Sequence, residues 1–175
     1  MSNRPETSSQ VRHQLNAAER LLAEGGAPFA RRDAVELLCA LLGEIPAELL
    51  GRPERRLTTA AVRAYGQWIA RRRAGEAIPS ITGHLPFMDL DLLVTHDTPL
   101  PPPCAARMVE IALACARRAD AHTVAHTDAH SLLAAELGTG SGAIALALAA
   151  LEPRFTRIYA CLLYTSPSPR DRQKS

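Results

Sequence analysis

A chain of 175 residues that is 47% apolar but only 4% aromatic has room for one ordinary domain or two small ones, with an aliphatic core. Its 20 basic and 18 acidic residues give a formal charge of +2, which excludes a broad electrostatic footprint for nucleic acid or an anionic membrane. Four cysteines without metal-type spacing (Cys39, Cys104, Cys115, Cys161) point to a reduced, cytoplasmic setting, and a polar start predicts no secretory leader.

Residues 1–8 are polar and expected to fray. Ser9 is placed to cap a helix whose apolar positions Val11, Leu15, Ala18 and Leu22 recur at helical spacing, with Gly25-Gly26 as its stop. A second helix is predicted over 31–42, with Leu37, Leu38, Leu41 and Leu42 inward and Gly43 at its end. Pro46 opens a short helix to Leu50. Thr58 or Thr59 caps a fourth, carrying Val62, Tyr65, Trp68 and Ile69 and ending in Arg71-Arg72-Arg73 and Gly75. These segments predict a helical bundle. The arginine triplet reads as a solvated helix end rather than an RNA patch, because the chain is close to neutral.

From Ile78 the periodicity changes, and Phe87, Leu90, Leu92 and Val94 predict a hairpin of short strands. His96 to Pro103 holds prolines at 99, 101, 102 and 103, which supply no N–H, and so predicts a stiff, extended connector. Residues 105–119 return to helical spacing, with Met108, Ile111, Ala112 and Cys115 expected on one inward face. His122, His126 and His130 recur every fourth residue, the spacing of a helical zinc site. Their Ala, Thr and Asp neighbours favour a polar loop instead, and no metal is expected.

Leu132 to Leu137 then predicts a strand, followed by Gly138-Thr-Gly-Ser-Gly142, a helix from Ala143 to Leu151 and a second strand beginning at Arg157. Strand, glycine turn, helix, strand is the opening of a doubly wound α/β domain. Residues 161–175 break the style of the chain: Lys174 is its only lysine, and the peptide reads like a translated sequencing adapter. It is treated as foreign to the fold. Without its Arg170, Arg172, Lys174 and Asp171 the body carries 17 basic and 17 acidic residues and is neutral.

Alternating glycines let a backbone turn tightly and approach a ligand, and a helix starting there offers free N–H groups. Gly138, Gly140 and Ala143 match the dinucleotide pattern GxGxxA. Gly138, Gly140 and Gly142 equally match the GxGxG loop that takes S-adenosylmethionine, so the loop alone leaves both cofactors open.

Three stretches in order break the tie. Asp33-Ala-Val-Glu-Leu-Leu38 comes first. Arg72-Arg-Ala-Gly-Glu76 follows, with Ile81, Gly83, Phe87, Leu90 and Leu93-Val-Thr95. Glu136-Leu-Gly-Thr-Gly-Ser-Gly-Ala-Ile-Ala-Leu146 is last. Through them the sequence resembles the peptide-chain release factor glutamine methyltransferase family over about residues 30–160. The resemblance implies an S-adenosylmethionine-dependent, monomeric, cytoplasmic enzyme. It would methylate the side-chain amide of the glutamine in a release factor's Gly-Gly-Gln motif, with no direct nucleic-acid or membrane partner. It also implies Glu136, Gly138, Thr139, Gly140 and Gly142 as cofactor-binding residues.

Several family features do not match. No Asn-Pro-Pro-Tyr motif occurs, so no catalytic residue is assigned, and the acidic residue that holds the ribose falls at about Leu162. Leu100-Pro-Pro-Pro-Cys-Ala-Ala106 stands where the family has Ile-Pro-Arg-Pro-Glu-Thr-Glu, and the family's tyrosine and glutamate are replaced by Ser80 and Pro86. The expected organisation is an N-terminal fragment of mixed class, α plus α/β. A helical substrate-recognition domain spans 1–75, and a connector with hairpin and Pro-rich linker spans 76–103. The truncated start of a Rossmann-like methyltransferase domain spans 104–160, and the foreign tail spans 161–175.

Overall fold

The computed structural model describes residues 9–119 and 131–162, and the chain divides into two units, residues 1–83 and 84–175. The spaced histidines His122, His126 and His130, and residues 163–175 of the tail read above as foreign, lie outside the described residues.

The first unit is helical: α1 (Val11–Glu24), α2 (Ala30–Leu42), α3 (Pro46–Leu50), α4 (Thr59–Arg73) and α5 (Ile78–Thr82). Its core forms where the apolar stripes of α1, α2 and α4 meet, around Leu15, Leu22, Leu37, Leu38, Tyr65 and Ile69. Leu37 and Leu38 are fully buried, whereas Leu41 and Leu42 pack at the edge of the core, as does Trp68. Thr58 Oγ1 accepts the Ala61 N–H at 3.1 Å, an N-cap that sets where α4 starts. Gly43 ends α2 at φ 67°, a left-handed turn that suits glycine.

Two local expectations are corrected. Ser9 does not cap α1: the N-cap is Gln10, with no side-chain cap. The first turn is held by backbone pairing instead, Val11 N–H donating to Arg55 O (2.9 Å), Arg12 N–H to Pro53 O (3.0 Å) and Leu57 N–H to Ser9 O (2.8 Å). Those carbonyls satisfy donors that a serine would otherwise take. The short helix α5 was not anticipated. It is fixed by Arg71, which pairs with Glu76 (Nε to Oε2, 2.7 Å) and also reaches the Ser80 carbonyl (3.1 Å). Its Ile81 is buried in the helical core.

The second unit contains the hairpin β1 (His84–Phe87) and β2 (Leu90–Leu93), helix α6 (Ala105–Ala119), strand β3 (Leu132–Leu137), helix α7 (Ala143–Leu151) and strand β4 (Phe155–Cys161). The hairpin is antiparallel, with Phe87 opposite Leu90. β3 and β4 are parallel, Leu137 opposite Cys161, with α7 as the crossover. The core gathers Phe87, Val109, Leu113, Ala143, Ala147 and Leu148, so the hairpin packs with α6 and α7.

The inward face of α6 is not the expected one. Val109, Leu113 and Ala116 are buried, while Met108 and Ile111 are each 51% exposed and Cys115 is exposed. Ala105, Val109 and Leu113 join Ala143, Ala147 and Leu148 of α7 in one core. Met108, Ala112 and Cys115 instead border a cavity of about 540 Å³ beside β3. No helix among the described residues is long and apolar enough to cross a membrane.

Candidate functional site

The glycine loop lies between the end of β3 and the start of α7. Gly138 (φ 79°), Gly140 (φ 54°) and Gly142 (φ 77°) all take the left-handed backbone conformation. A Cβ on Gly140 would come no closer than 3.9 Å to Pro99 Cβ, and one on Gly142 no closer than 3.8 Å to Thr139 Oγ1. Gly140 and Gly142 are therefore required by backbone geometry rather than by crowding within the protein.

Strand β4 anchors the loop from below. Cys161 O accepts the N–H groups of Gly138 (2.9 Å) and Thr139 (3.0 Å). Cys161 is the first residue read as foreign, yet it completes the pairing of β4. Backbone pairing makes no demand on its side chain. Gly142 N–H donates to Thr139 O at 2.8 Å and closes the turn.

Glu136 ties the loop to the helix. One carboxylate oxygen, Oε2, accepts the Thr139 hydroxyl at 2.8 Å and the Ala145 N–H at 3.1 Å. Of the expected residues, Glu136, Gly138, Thr139 and Gly140 line one cavity, and Gly142 stands beside them as the N-cap of α7 without lining it. Leu162 follows β4 and is half exposed.

Above the loop is a cavity of about 310 Å³ with a wall that the sequence did not reveal. Pro99, Leu100, Pro101 and Pro102 form one side, with Met108 from α6. The segment lacks the donors to join a sheet and lies against the loop instead. A run of prolines just before a helix and a glycine loop was the available signal. Among the described residues that line it, Glu136 is the only ionisable side chain. Among the described residues, no group of three or more His, Cys, Asp or Glu side chains is placed to hold a metal.

Comparison with known proteins finds similarity over most of the chain. Residues 13–83 match the PrmC N-terminal domain. Over 139 residues the chain is 37% identical to a protein of Vibrio cholerae named release factor glutamine methyltransferase, covering 79% of this chain and 45% of that protein. A protein of the same name from Moorella thermoacetica is 37% identical over 150 residues, covering 86% of this chain and 49% of its own length. The chain spans about half the length of these curated relatives. The chain is thus similar over most of its length to proteins named release factor glutamine methyltransferase, and its residues 13–83 match the PrmC N-terminal domain.

Proposed function

We propose that this chain corresponds to the substrate-recognition and cofactor-cradle portion of an S-adenosylmethionine-dependent methyltransferase. Its target would be the glutamine side-chain amide in the Gly-Gly-Gln motif of a peptide-chain release factor. The observation that carries the donor assignment is the cavity over the glycine loop, lined among the described residues by one carboxylate and no cation. A dinucleotide would bring its pyrophosphate next to Glu136, where like charges repel. A sulfonium donor with an ammonium group carries positive charge, which the same carboxylate favours. The names of the relatives support transfer to a release factor.

In this reading Gly138, Gly140 and Gly142 shape the cradle, and Glu136 and Thr139 hold that shape. The proline wall excludes water from one side of the cavity. The bound donor would supply an electrophilic methyl group. An amide nitrogen is a weak nucleophile, so its NH₂ must be held in line with that methyl and its protons given to oxygen acceptors. The sequence contains no Asn-Pro-Pro-Tyr for that task. The helical unit is assigned to release-factor recognition, and the chain alone is assigned weak donor binding without methyl transfer.

Calorimetric titration tests the reading. Weak heat with S-adenosylmethionine and none with NAD⁺, together with no radiolabelled methyl transfer to a purified release factor, is the expected result. Tighter binding of NAD⁺ would instead support a dehydrogenase loop.

A further inference from the structure

Strand β3 is apolar on both of its faces: it reads Leu-Leu-Ala-Ala-Glu-Leu, and only Glu136 interrupts the run. A strand with one wetted face alternates apolar and polar residues. A strand inside a parallel sheet, covered by helices on both sides, is apolar throughout. β3 has the second kind of sequence without the surroundings to match. β4 pairs with one of its edges, and among the described residues no strand pairs with the other. None of its six residues is fully buried, and Leu133 and Leu137 are 67% and 76% exposed. The cavity of about 540 Å³ beside it is bordered by all six, those that point to one face and those that point to the other, so it follows the strand along its open edge. The edge is also unguarded, since β3 holds no proline, glycine, lysine or arginine.

We propose that the free edge of β3 and the groove between it and α6 are a docking site for one further apolar strand. That strand runs parallel to β3, as β4 does, and brings a helix over the outer face. The face it covers carries Leu133 and Leu137, with Tyr159 of β4, 47% exposed, opposite Ala135. The occupant is a segment from the half of the curated relatives that this chain does not span, since it covers only 45% and 49% of their length. A second copy of the chain fits less well: it offers the same open edge and the same bare face in duplicate, and edge-to-edge pairing brings no helix over either. The proposal goes beyond the donor and target assigned above and needs neither.

The test co-expresses the full chain with a second polypeptide, the part of the Moorella thermoacetica relative that lies beyond the matched region. Sedimentation velocity is expected to show a one-to-one complex, and amide exchange of β3 is expected to slow at least about tenfold within it. Leu133→Asp changes an exposed position, so the circular dichroism of the chain is expected to hold while the complex weakens at least about tenfold. Ile111→Asp is the control: Ile111 is 51% exposed on α6 and does not border the groove, and its replacement is expected to leave the complex intact. Absence of a complex would overturn the proposal, as would a complex indifferent to Leu133→Asp. A homodimer of the chain alone that Leu133→Asp dissolves would overturn it in favour of a second copy. Every readout is association, so the result stands apart from whether S-adenosylmethionine binds.

Discussion

Arg72 Nε donates to Asp33 Oδ2 at 2.8 Å across 39 positions of sequence, and Asp33 is only 6% exposed. The same guanidinium donates to the Glu76 carbonyl at 3.1 Å, so one side chain fixes the first turn of α2, the end of α4 and the turn after it. Removing one partner of a buried pair strands the other charge. Asp33→Ala is therefore expected to cost about 3 kcal/mol in urea unfolding of the helical unit. A double replacement of Asp33 and Arg72 by apolar residues is expected to cost less than Asp33→Ala alone, because no uncompensated charge remains.

Tyr65 is nearly fully buried and its hydroxyl donates to the Ala34 carbonyl at 2.9 Å. Burial raises the phenol above its usual ionisation range, since the phenolate would lose its water. The neutral form belongs to the folded state, so its contribution is complete below the unfolded-chain value near 10 and is lost as pH rises beyond it. Ultraviolet titration is expected to show Tyr65 silent when exposed tyrosines ionise, and to respond only with unfolding. Tyr65→Phe is expected to cost about 1 kcal/mol and to abolish that late step.

Gly142→Ala and Gly142→Asn separate backbone strain from crowding at the loop. The added Cβ meets nothing closer than 3.8 Å, so the alanine penalty comes from φ 77° alone. Alanine is expected to cost about 1 kcal/mol in thermal unfolding, and asparagine clearly less because it tolerates the left-handed region. Equal penalties for the two would mean that volume matters after all.

Gly66 offers the opposite case. It lies inside α4, with open space where a Cβ would be. Glycine within a helix forfeits backbone entropy, so Gly66→Ala is expected to stabilise the helical unit by about 0.8 kcal/mol, read as a higher urea midpoint.

How far the residues announced this architecture depends on the range of the interaction. Helices α2, α3 and α4 were legible because their stops and starts are local: Gly43, Pro46 and the Thr58 cap act within a few positions. The loop and α7 were legible for the same reason, as three glycines precede an apolar run. The start of α1 was misread because its donors go to Arg55 and Pro53, a pairing with no local trace. The buried face of α6 was misread because Met108 and Ile111 satisfy helical periodicity as well as Val109 and Leu113 do, and only the position of α7 decides between them. The Glu136 link to α7 and the proline wall were hidden likewise, being contacts between elements.

Each of the two apolar cores closes entirely within its own unit, the first around Leu37 and Tyr65 and the second around Val109 and Ala147. A chain with two such cores is expected to melt in two events rather than one, which differential scanning calorimetry checks. In a differential scanning trace, the Asp33, Tyr65 and Gly66 substitutions are expected to displace one endotherm, and the Gly142 substitutions the other. Heat capacity assigns each residue to its own cooperative block.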